Sequence, residues 1–282
     1  MNADPNFINL PAYFERIGFR DAARPAPTLE TLRALHLLHP QVIPFENLDV
    51  LMGRPVRIDL ASVQRKLVHD RRGGYCYEHN LLFRSVLEAL GFRVRSCAGR
   101  VLWGRDADAD LPPRTHMCLV IEIDDTRYLA DVGFGGMTLS APIVLTPQLE
   151  QITPHGAFRL EAAGADTYVL QTMIESHWAS IYRFDLDPQF PADYVMSNHY
   201  VSTFPQSVFV NNLLAARLAP GRRYGLFNRT LSIHDEREGT RKHELESIEE
   251  LRHALTHEIG IQLPDDTSTL DAALRLIGTH QA

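Results

Sequence analysis

Cys76 is the residue of this sequence best placed to act as a nucleophile. It follows the pair Gly73-Gly74, which disfavours helix, and it precedes a stretch that favours helix. Cys76 is therefore predicted in the first turn of a helix, where free backbone N–H groups and the helix dipole favour a thiolate. A thiolate at a helix start is a recurrent nucleophile of acyl transfer. A buried, unreactive cysteine is the alternative interpretation of this segment.

A base and a carboxylate for this nucleophile are predicted on one hairpin. Asp124-Asp125 separates two strand-like segments and is typical of a two-residue turn. With that turn, Cys118 lies opposite Asp131, and His116 lies one diagonal step away on the same face. Diagonal neighbours are about 7–8 Å apart, close enough for an imidazole and a carboxylate to meet. His116 is therefore predicted as a base oriented by Asp131, with a histidine buried for packing as the alternative.

The other two cysteines, Cys97 and Cys118, are predicted to be packing residues. Cys118 shares the face of His116 and Asp131, but it lies in mid-strand, without a helix start that would favour its thiolate. The chain has 3 cysteines and no CxxC pair. Neither a disulfide framework nor a structural zinc site is therefore expected, and no metal is expected.

Helix-typical segments flank a strand-rich middle that must position these residues. The helix-typical segments are 28–39, 76–90, 247–260 and 269–278, and the strand-typical ones are 92–103, 116–123 and 126–132. Pro40 is expected to end the first of these helices, and Gly91 is expected to cap the second. Helices, then strands, then a mixed tail favour an α+β fold over a doubly wound sheet.

Length and charge exclude several classes of protein. The chain has 282 residues, of which 45% are hydrophobic, enough for two or three domains with packed cores. Its net charge of −7 argues against nucleic acid and anionic membranes as partners. The longest apolar run, residues 117–121, is far too short to span a membrane. No signal peptide is recognisable, so a reducing cytoplasm is the expected location.

Five segments of the chain resemble the arylamine N-acetyltransferases of bacteria. They occur in the order and spacing of that family, and the resemblance runs from near the N-terminus to about residue 217. The segments are 43–48 (IPFENL), 72–78 (RGGYCYE), 115–117 (THM), 130–135 (ADVGFG) and 198–209 (NHYVSTFPQSVF). The sequence diverges at Val201 and at Phe204-Pro205, where family members vary, so the resemblance leaves the acceptor preference open.

The resemblance implies a fold of three parts. These are a helical domain that carries the nucleophile, a β-barrel-like domain that carries the other two triad residues, and an α/β lid. Placed on this sequence, the three parts are residues 1–91, 92–195 and 196–282. The expected fold class is thus α+β, with a triad like that of the cysteine proteases.

The resemblance also implies roles for individual residues. It assigns the catalytic triad to Cys76, His116 and Asp131. The residues that it places around the substrates are Phe45, Phe134 and Phe204 for the aromatic acceptor, and Trp103, Thr115, Gly135 and Gly136 for coenzyme A.

The implied reaction is acetyl transfer from acetyl-CoA to an arylamine or arylhydrazine through an acetylated Cys76, in a ping-pong sequence. The chain is expected to work without a metal, nucleic acid or membrane, as a monomer or homodimer. A thiol hydrolase or a transglutaminase-like enzyme would use the same triad with water or a peptide amine as acceptor. A non-catalytic protein that uses a buried thiol for ligand binding or redox chemistry is the third interpretation.

Overall fold

Helices form the first third of the chain. The computed structural model describes residues 7–21, 24–106 and 108–277. The helices here are α1 (Leu10–Ile17), α2 (Leu29–Val42), α3 (Leu48–Leu51), α4 (Leu60–Gln64), which a π-helical turn (Arg65–His69) continues, and α5 (Cys76–Ala89). Between α2 and α3 lies the short strand β1 (Phe45–Glu46). Asn9 and Thr28 cap α1 and α2, since the side chain of each accepts the backbone N–H of the third residue of its helix.

The expectation that Pro40 ends α2 is wrong, because the helix continues to Val42. A proline removes one N–H donor, here the one that would bond to the carbonyl of His36. In the last turn that loss is small. The backbone N–H of Ile43 still donates to the carbonyl of His39 at 2.8 Å.

An eight-stranded antiparallel sheet forms the middle of the chain. Its strands are β2 (Arg93–Val101), β3 (His116–Ile123), β4 (Thr126–Ala130), β5 (Ile143–Val144), β6 (Gln151–Thr153), β7 (Gly156–Gly164), β8 (Thr167–Ile174) and β9 (His177–Asp185). They are ordered β5-β4-β3-β2-β9-β8-β7-β6. This sheet follows the helices directly, and its strands β3 and β4 carry the predicted hairpin.

The predicted hairpin of β3 and β4 is confirmed in its register. Ile123 pairs with Thr126 and Leu119 with Ala130, which requires a two-residue turn. Both turn residues, Asp124 and Asp125, have positive φ angles of 47° and 60°. Such a pair is typical of the tightest hairpin turns, and aspartate adopts this conformation more readily than most residues.

A second sheet and the remaining helices complete the chain. Their elements are α6 (Pro191–Thr203), α7 (Val208–Asn211), β10 (Leu214–Ala219), β11 (Arg222–Phe227), β12 (Thr230–Asp235), β13 (Gly239–Glu244), α8 (Ile248–His253) with a π-helical turn (Ala254–Glu258), and α9 (Thr267–Leu276). The sheet has the order β1-β10-β11-β12-β13. Its first strand therefore comes from the helical part of the chain. The sheets and helices together confirm the α+β class, whereas the division at residues 91 and 195 stays a prediction.

Strand β3 lies between two hydrophobic cores. Met117, Leu119 and Ile121 belong to the core that it shares with the helices, including α5. Cys118 and Val120 point to the other side, into the core of the eight-stranded sheet. This alternation follows from the pleat of a strand and makes β3 the boundary at which the two parts meet.

None of the helices in the described ranges is both long and apolar enough to cross a membrane.

Candidate functional site

Cys76 is the first residue of α5, as predicted, and it is 3% exposed. The start of the helix is held by Glu78, whose Oε2 accepts the backbone N–H of Tyr75 at 3.0 Å. The Sγ of Cys76 lies 3.7 Å from the carbonyl oxygen of Thr115, the residue before β3. The thiol is therefore at the junction of α5 with the strand that carries His116.

Gly73 and Gly74 are required for close approach. A Cβ on Gly73 would lie 2.2 Å from the carbonyl oxygen of Pro44, and one on Gly74 would lie 2.7 Å from Oε2 of Glu78. Neither glycine has a positive φ angle. Their missing side chains let the segment before Cys76 pair with β1, where Gly74 forms a parallel bridge with Phe45.

His116 and Asp131 form a buried ion pair. The Nε2 of His116 lies 2.7 Å from Oδ2 of Asp131, and the two residues are 3% and 0% exposed. Burial lowers the pKa of His116, but the charge and hydrogen bond of Asp131, together with Cys76, outweigh burial and raise it to about 10. Burial raises the pKa of Asp131, but the charge of His116 and the hydrogen bonds that the carboxylate accepts together lower it. Because Nε2 of His116 is hydrogen-bonded to Asp131, Nδ1 is the ring nitrogen that remains available to Cys76.

Two side chains that sequence reasoning missed hold Asp131. Asn80 donates its Nδ2 to Oδ1 of Asp131 at 2.9 Å, and the backbone N–H of Gly133 donates to the same oxygen at 2.9 Å. The Nε2 of His36, on α2, accepts the backbone N–H of Asp131 at 3.0 Å. Asn80 lies one helical turn after Cys76, and that spacing could have indicated that the two side chains share a face of α5. The position of His36 carried no such signal.

A cluster of ion pairs lies beside the segment that contains Cys76. Lys66 bridges Glu78 at 2.8 Å and Asp49 at 2.7 Å, and Arg72 bridges Glu46 at 2.8 Å and Asp49 at 3.3 Å. Burial lowers the pKa of Lys66, but the nearby carboxylates outweigh burial and raise it. The five side chains thus form one connected group of ion pairs beside the start of α5.

Of the three predicted acceptor residues, Phe134 contacts His116, and Phe45 lies beside the segment that follows Asp131. The ring of Phe134 meets the ring of His116 edge-on, with centroids 5.2 Å apart. Phe45 is 8% exposed and lies beside Gly135, whose hypothetical Cβ would be 3.4 Å from its ring. Phe204 follows the last residue of α6, is 37% exposed, and stacks on Tyr200 with centroids 4.5 Å apart.

The residues expected to contact coenzyme A lie on the segments that border β2, β3 and β4. Trp103 follows β2 and is 39% exposed, and Gly136 is exposed on the segment after β4. Gly135 has a φ angle of +91°, so a glycine is needed there. Arg223 of β11, which sequence reasoning did not identify, donates Nη1 to the carbonyl of Gly136 at 3.2 Å. Burial lowers the pKa of Arg223 to about 10.

A cavity of about 250 Å³ borders His116. Tyr77 and Arg114 line it together with five residues of the segment 189–197, most of which forms the start of α6. Within the described residues, no group of three or more His, Cys, Asp or Glu side chains could hold a metal ion. The arrangement is therefore a thiol, an imidazole and a carboxylate, with the imidazole of His116 next to open space.

Comparisons with known proteins give one consistent result. A family model described as "N-acetyltransferase" matches residues 28–268. The arylamine N-acetyltransferase of Escherichia coli is 44% identical over 90% of this chain and 89% of its own length. That of Mycolicibacterium smegmatis is 42% identical over 92% of this chain and 94% of its own.

Solved structures agree with the sequence relatives. The arylamine N-acetyltransferase of Mycobacterium marinum in complex with CoA superposes with a TM-score of 0.91 at 40% identity, covering 95% of this chain and 100% of that one. The Salmonella typhimurium enzyme superposes with a TM-score of 0.88 at 38% identity, covering 95% and 99%. With the family model spanning residues 28–268 and relatives above 40% identity over nine-tenths of its length, the chain belongs to the arylamine N-acetyltransferase family.

Proposed function

We propose that the chain transfers the acetyl group of acetyl-CoA to an arylamine or arylhydrazine, with Cys76 as the group that carries the acetyl. The observation that supports this most is the position of Cys76 at the first turn of α5, beside a buried His116–Asp131 pair held at 2.7 Å. The family membership supports acetyl-CoA as the donor, since the Mycobacterium marinum relative was solved with CoA.

In the first half-reaction, the thiolate of Cys76 attacks the carbonyl carbon of the acetyl thioester. A new C–S bond to Cys76 forms, and the C–S bond to coenzyme A breaks. The imidazolium of His116 gives its proton to the departing sulfur of coenzyme A, so His116 becomes neutral. The enzyme is left as an acetyl-thioester at Cys76, and free coenzyme A departs.

In the second half-reaction, the amine nitrogen of the acceptor attacks the acetyl carbon on Cys76. The C–N bond forms and the C–S bond to Cys76 breaks. The neutral His116 takes the proton that the amine loses, which restores the imidazolium and the thiolate. Asp131 holds Nε2 of His116 throughout, so Nδ1 stays directed at the reacting atoms.

The aromatic side chains supply the acceptor site in this proposal. Phe45 and Phe134 lie beside Gly135 and His116, and Phe204 presents an exposed ring at the end of α6. Flat aromatic amines stack on such rings, and an apolar wall excludes the water that would hydrolyse the intermediate. Trp103, Thr115, Gly135 and Gly136 are proposed to contact coenzyme A.

The test is the release of coenzyme A in the absence of acceptor. Mixing the protein with acetyl-CoA should release one equivalent of coenzyme A per active site, with an acetyl label bound at Cys76. Cys76→Ala should abolish the burst, and Cys118→Ala, which removes a buried thiol of the sheet core, should keep it. Near-normal turnover by Cys76→Ala would refute the proposal. Rapid turnover without any amine would favour the hydrolase instead.

A further inference from the structure

The side chains of Tyr13, His39 and His79 are buried and form a continuous row of hydrogen bonds that ends at the backbone before Phe45. The hydroxyl of Tyr13 lies 2.9 Å from Nδ1 of His39, and Nε2 of His39 lies 2.9 Å from Nδ1 of His79. Nε2 of His79 lies 3.1 Å from the carbonyl oxygen of Pro44. Tyr13, His39 and His79 are 0%, 0% and 1% exposed. The row therefore links α1, α2 and α5 to the residue that precedes β1.

The carbonyl at its end sets the direction of every bond in the row. A carbonyl oxygen accepts only, so His79 must carry its proton on Nε2 when neutral, and its Nδ1 must accept. His39 must then donate from Nε2 and accept at Nδ1, which leaves the hydroxyl of Tyr13 as the donor. Burial lowers the pKa of His79 to about 4, so the ring is neutral at physiological pH.

The end of the row carries Phe45. The ring of Phe45 stacks on the ring of His79 at an interplanar angle of 11°, with centroids 6.4 Å apart. The carbonyl that His79 holds belongs to Pro44, the residue directly before Phe45. The same carbonyl accepts the backbone N–H of Gly74 at 3.3 Å. His79 thus donates to the backbone just before Phe45 and also stacks on the ring of Phe45.

We propose that His79, in the tautomer that His39 and the Pro44 carbonyl impose, is a positioning residue that sets Phe45 for binding of the aromatic acceptor. The inference rests on the proposed function, because it assigns His79 to the acceptor half-reaction. His79 lies three residues after Cys76 on α5, but its ring nitrogens are both used by the row. It therefore has no part in the proton transfers of His116.

Ping-pong kinetics separate this role from a general loss of structure. His79→Leu fills the site with an apolar side chain that cannot donate to the Pro44 carbonyl. It should lower kcat/KM for the arylamine about tenfold or more, mainly through KM, while the burst of coenzyme A stays within about twofold. His79→Gln can accept from His39 and donate to the carbonyl, so it should restore kcat/KM to within about threefold.

Tyr13→Phe is the matched control. It removes one hydrogen bond from the far end of the row and leaves the bond between His79 and Pro44 in place. Its kcat/KM for the arylamine should stay within about threefold of the unaltered protein. Equal losses in both half-reactions of His79→Leu, or an unchanged kcat/KM for the arylamine, would overturn the inference. A missing burst in the unaltered protein would overturn the proposed function itself.

Nitrogen-15 NMR of the histidine rings tests the row even if His79→Leu does not fold. In the unaltered protein, His39 and His79 should both be neutral, with a proton on Nε2 and an unprotonated Nδ1. A proton on Nδ1 of His79 near neutral pH would break the bond to Pro44 and refute the inference. The Tyr13→Phe protein should show the same Nε2 tautomer for His79, because the carbonyl still imposes it.

Discussion

Asp131 determines which nitrogen of His116 is available to Cys76. Its Oδ2 is bound to Nε2 of His116, and its Oδ1 already accepts from Asn80 and from the backbone of Gly133. Both oxygens are thus committed, and the carboxylate cannot turn. The negative charge in this dry site is the main reason that the pKa of His116 rises although burial opposes it.

Asp131→Asn should reverse the tautomer of His116. The asparagine can keep its oxygen toward Asn80 and Gly133, which turns its NH₂ group toward Nε2 of His116. His116 must then carry its proton on Nδ1 and can no longer accept one there. Turnover should fall by roughly 10³–10⁴-fold with the fold intact.

Steady-state rates and thermal unfolding measure this prediction. Asp125→Asn, in the turn of the same hairpin, is the matched control, because its exposed side chain lies away from the triad and asparagine tolerates its φ angle of 60°. It should keep full activity. A comparable loss in both variants would contradict the role given to Asp131.

At the scale of elements, the site depends on how closely the segment before α5 can approach β1. Gly73 places its backbone against Pro44 and Glu46, and the ion pair of Arg72 with Glu46 closes the same contact. A side chain at residue 73 would therefore separate two pieces of backbone that cannot yield easily. The position of Cys76 at the helix start depends on this contact.

Gly73→Ala should destabilise the protein by about 1–3 kcal/mol, since its Cβ would lie 2.2 Å from the carbonyl oxygen of Pro44. Gly225→Ala is the control, because a Cβ at that position on β11 would meet no atom within 4 Å. Urea unfolding of both variants gives the free energy of unfolding. Equal stability of the two proteins would show that the approach is not tight.

At the scale of the whole molecule, three buried histidines make the stability depend on pH, because folding lowers the pKa of two of them and raises that of the third. His36 and His79 stay neutral, because burial lowers the pKa of each to about 4. His116 stays charged, because Asp131 outweighs burial and raises its pKa to about 10. In the unfolded chain all three titrate near 6.5. Folding therefore changes proton binding on both sides of neutrality.

Stability should fall on both sides of a maximum near pH 6.5–7. Below about pH 6.5 these two histidines become protonated in the unfolded chain, whereas in the folded protein His36 and His79 stay neutral down to about pH 4. The stability that they contribute is therefore lost as the pH falls from about 6.5 to about 4. The contribution of His116 is complete below about pH 6.5 and is lost as the pH rises toward about 10. Each proton contributes a slope of about 1.4 kcal/mol per pH unit.

Thermal unfolding between about pH 4.5 and about pH 9.5, a range that lies within these two windows, measures both slopes. His79→Gln cannot titrate, so it should flatten the acid slope. His177→Asn, at an exposed position, should leave the acid slope unchanged. An acid slope that is identical in His79→Gln and the unaltered protein would refute the assignment to His79.

Local sequence pattern was sufficient to predict the elements that carry Cys76, His116 and Asp131. The helix start at Cys76 and the parity of His116 and Asp131 follow from the glycine pair, the helical spacing and a two-residue turn, all of which act within a few residues. The family could also be identified from five short segments. The extent of α2 past Pro40 could not be predicted, because the cost of a proline depends on how many turns follow it.

The sequence by itself determined the fold class, the family, the candidate nucleophile and the face shared by His116 and Asp131, because strand and helix periods decide which residues are neighbours along one element. Only the tertiary structure decided which atoms meet across elements. The hydrogen bonds of Asn80 and His36 to Asp131 join residues that are 51 and 95 positions apart. The row from Tyr13 to Pro44 and the hydrogen bond of Arg223 to Gly136 likewise join different elements of the fold. Such contacts depend on packing, and no local period encodes them.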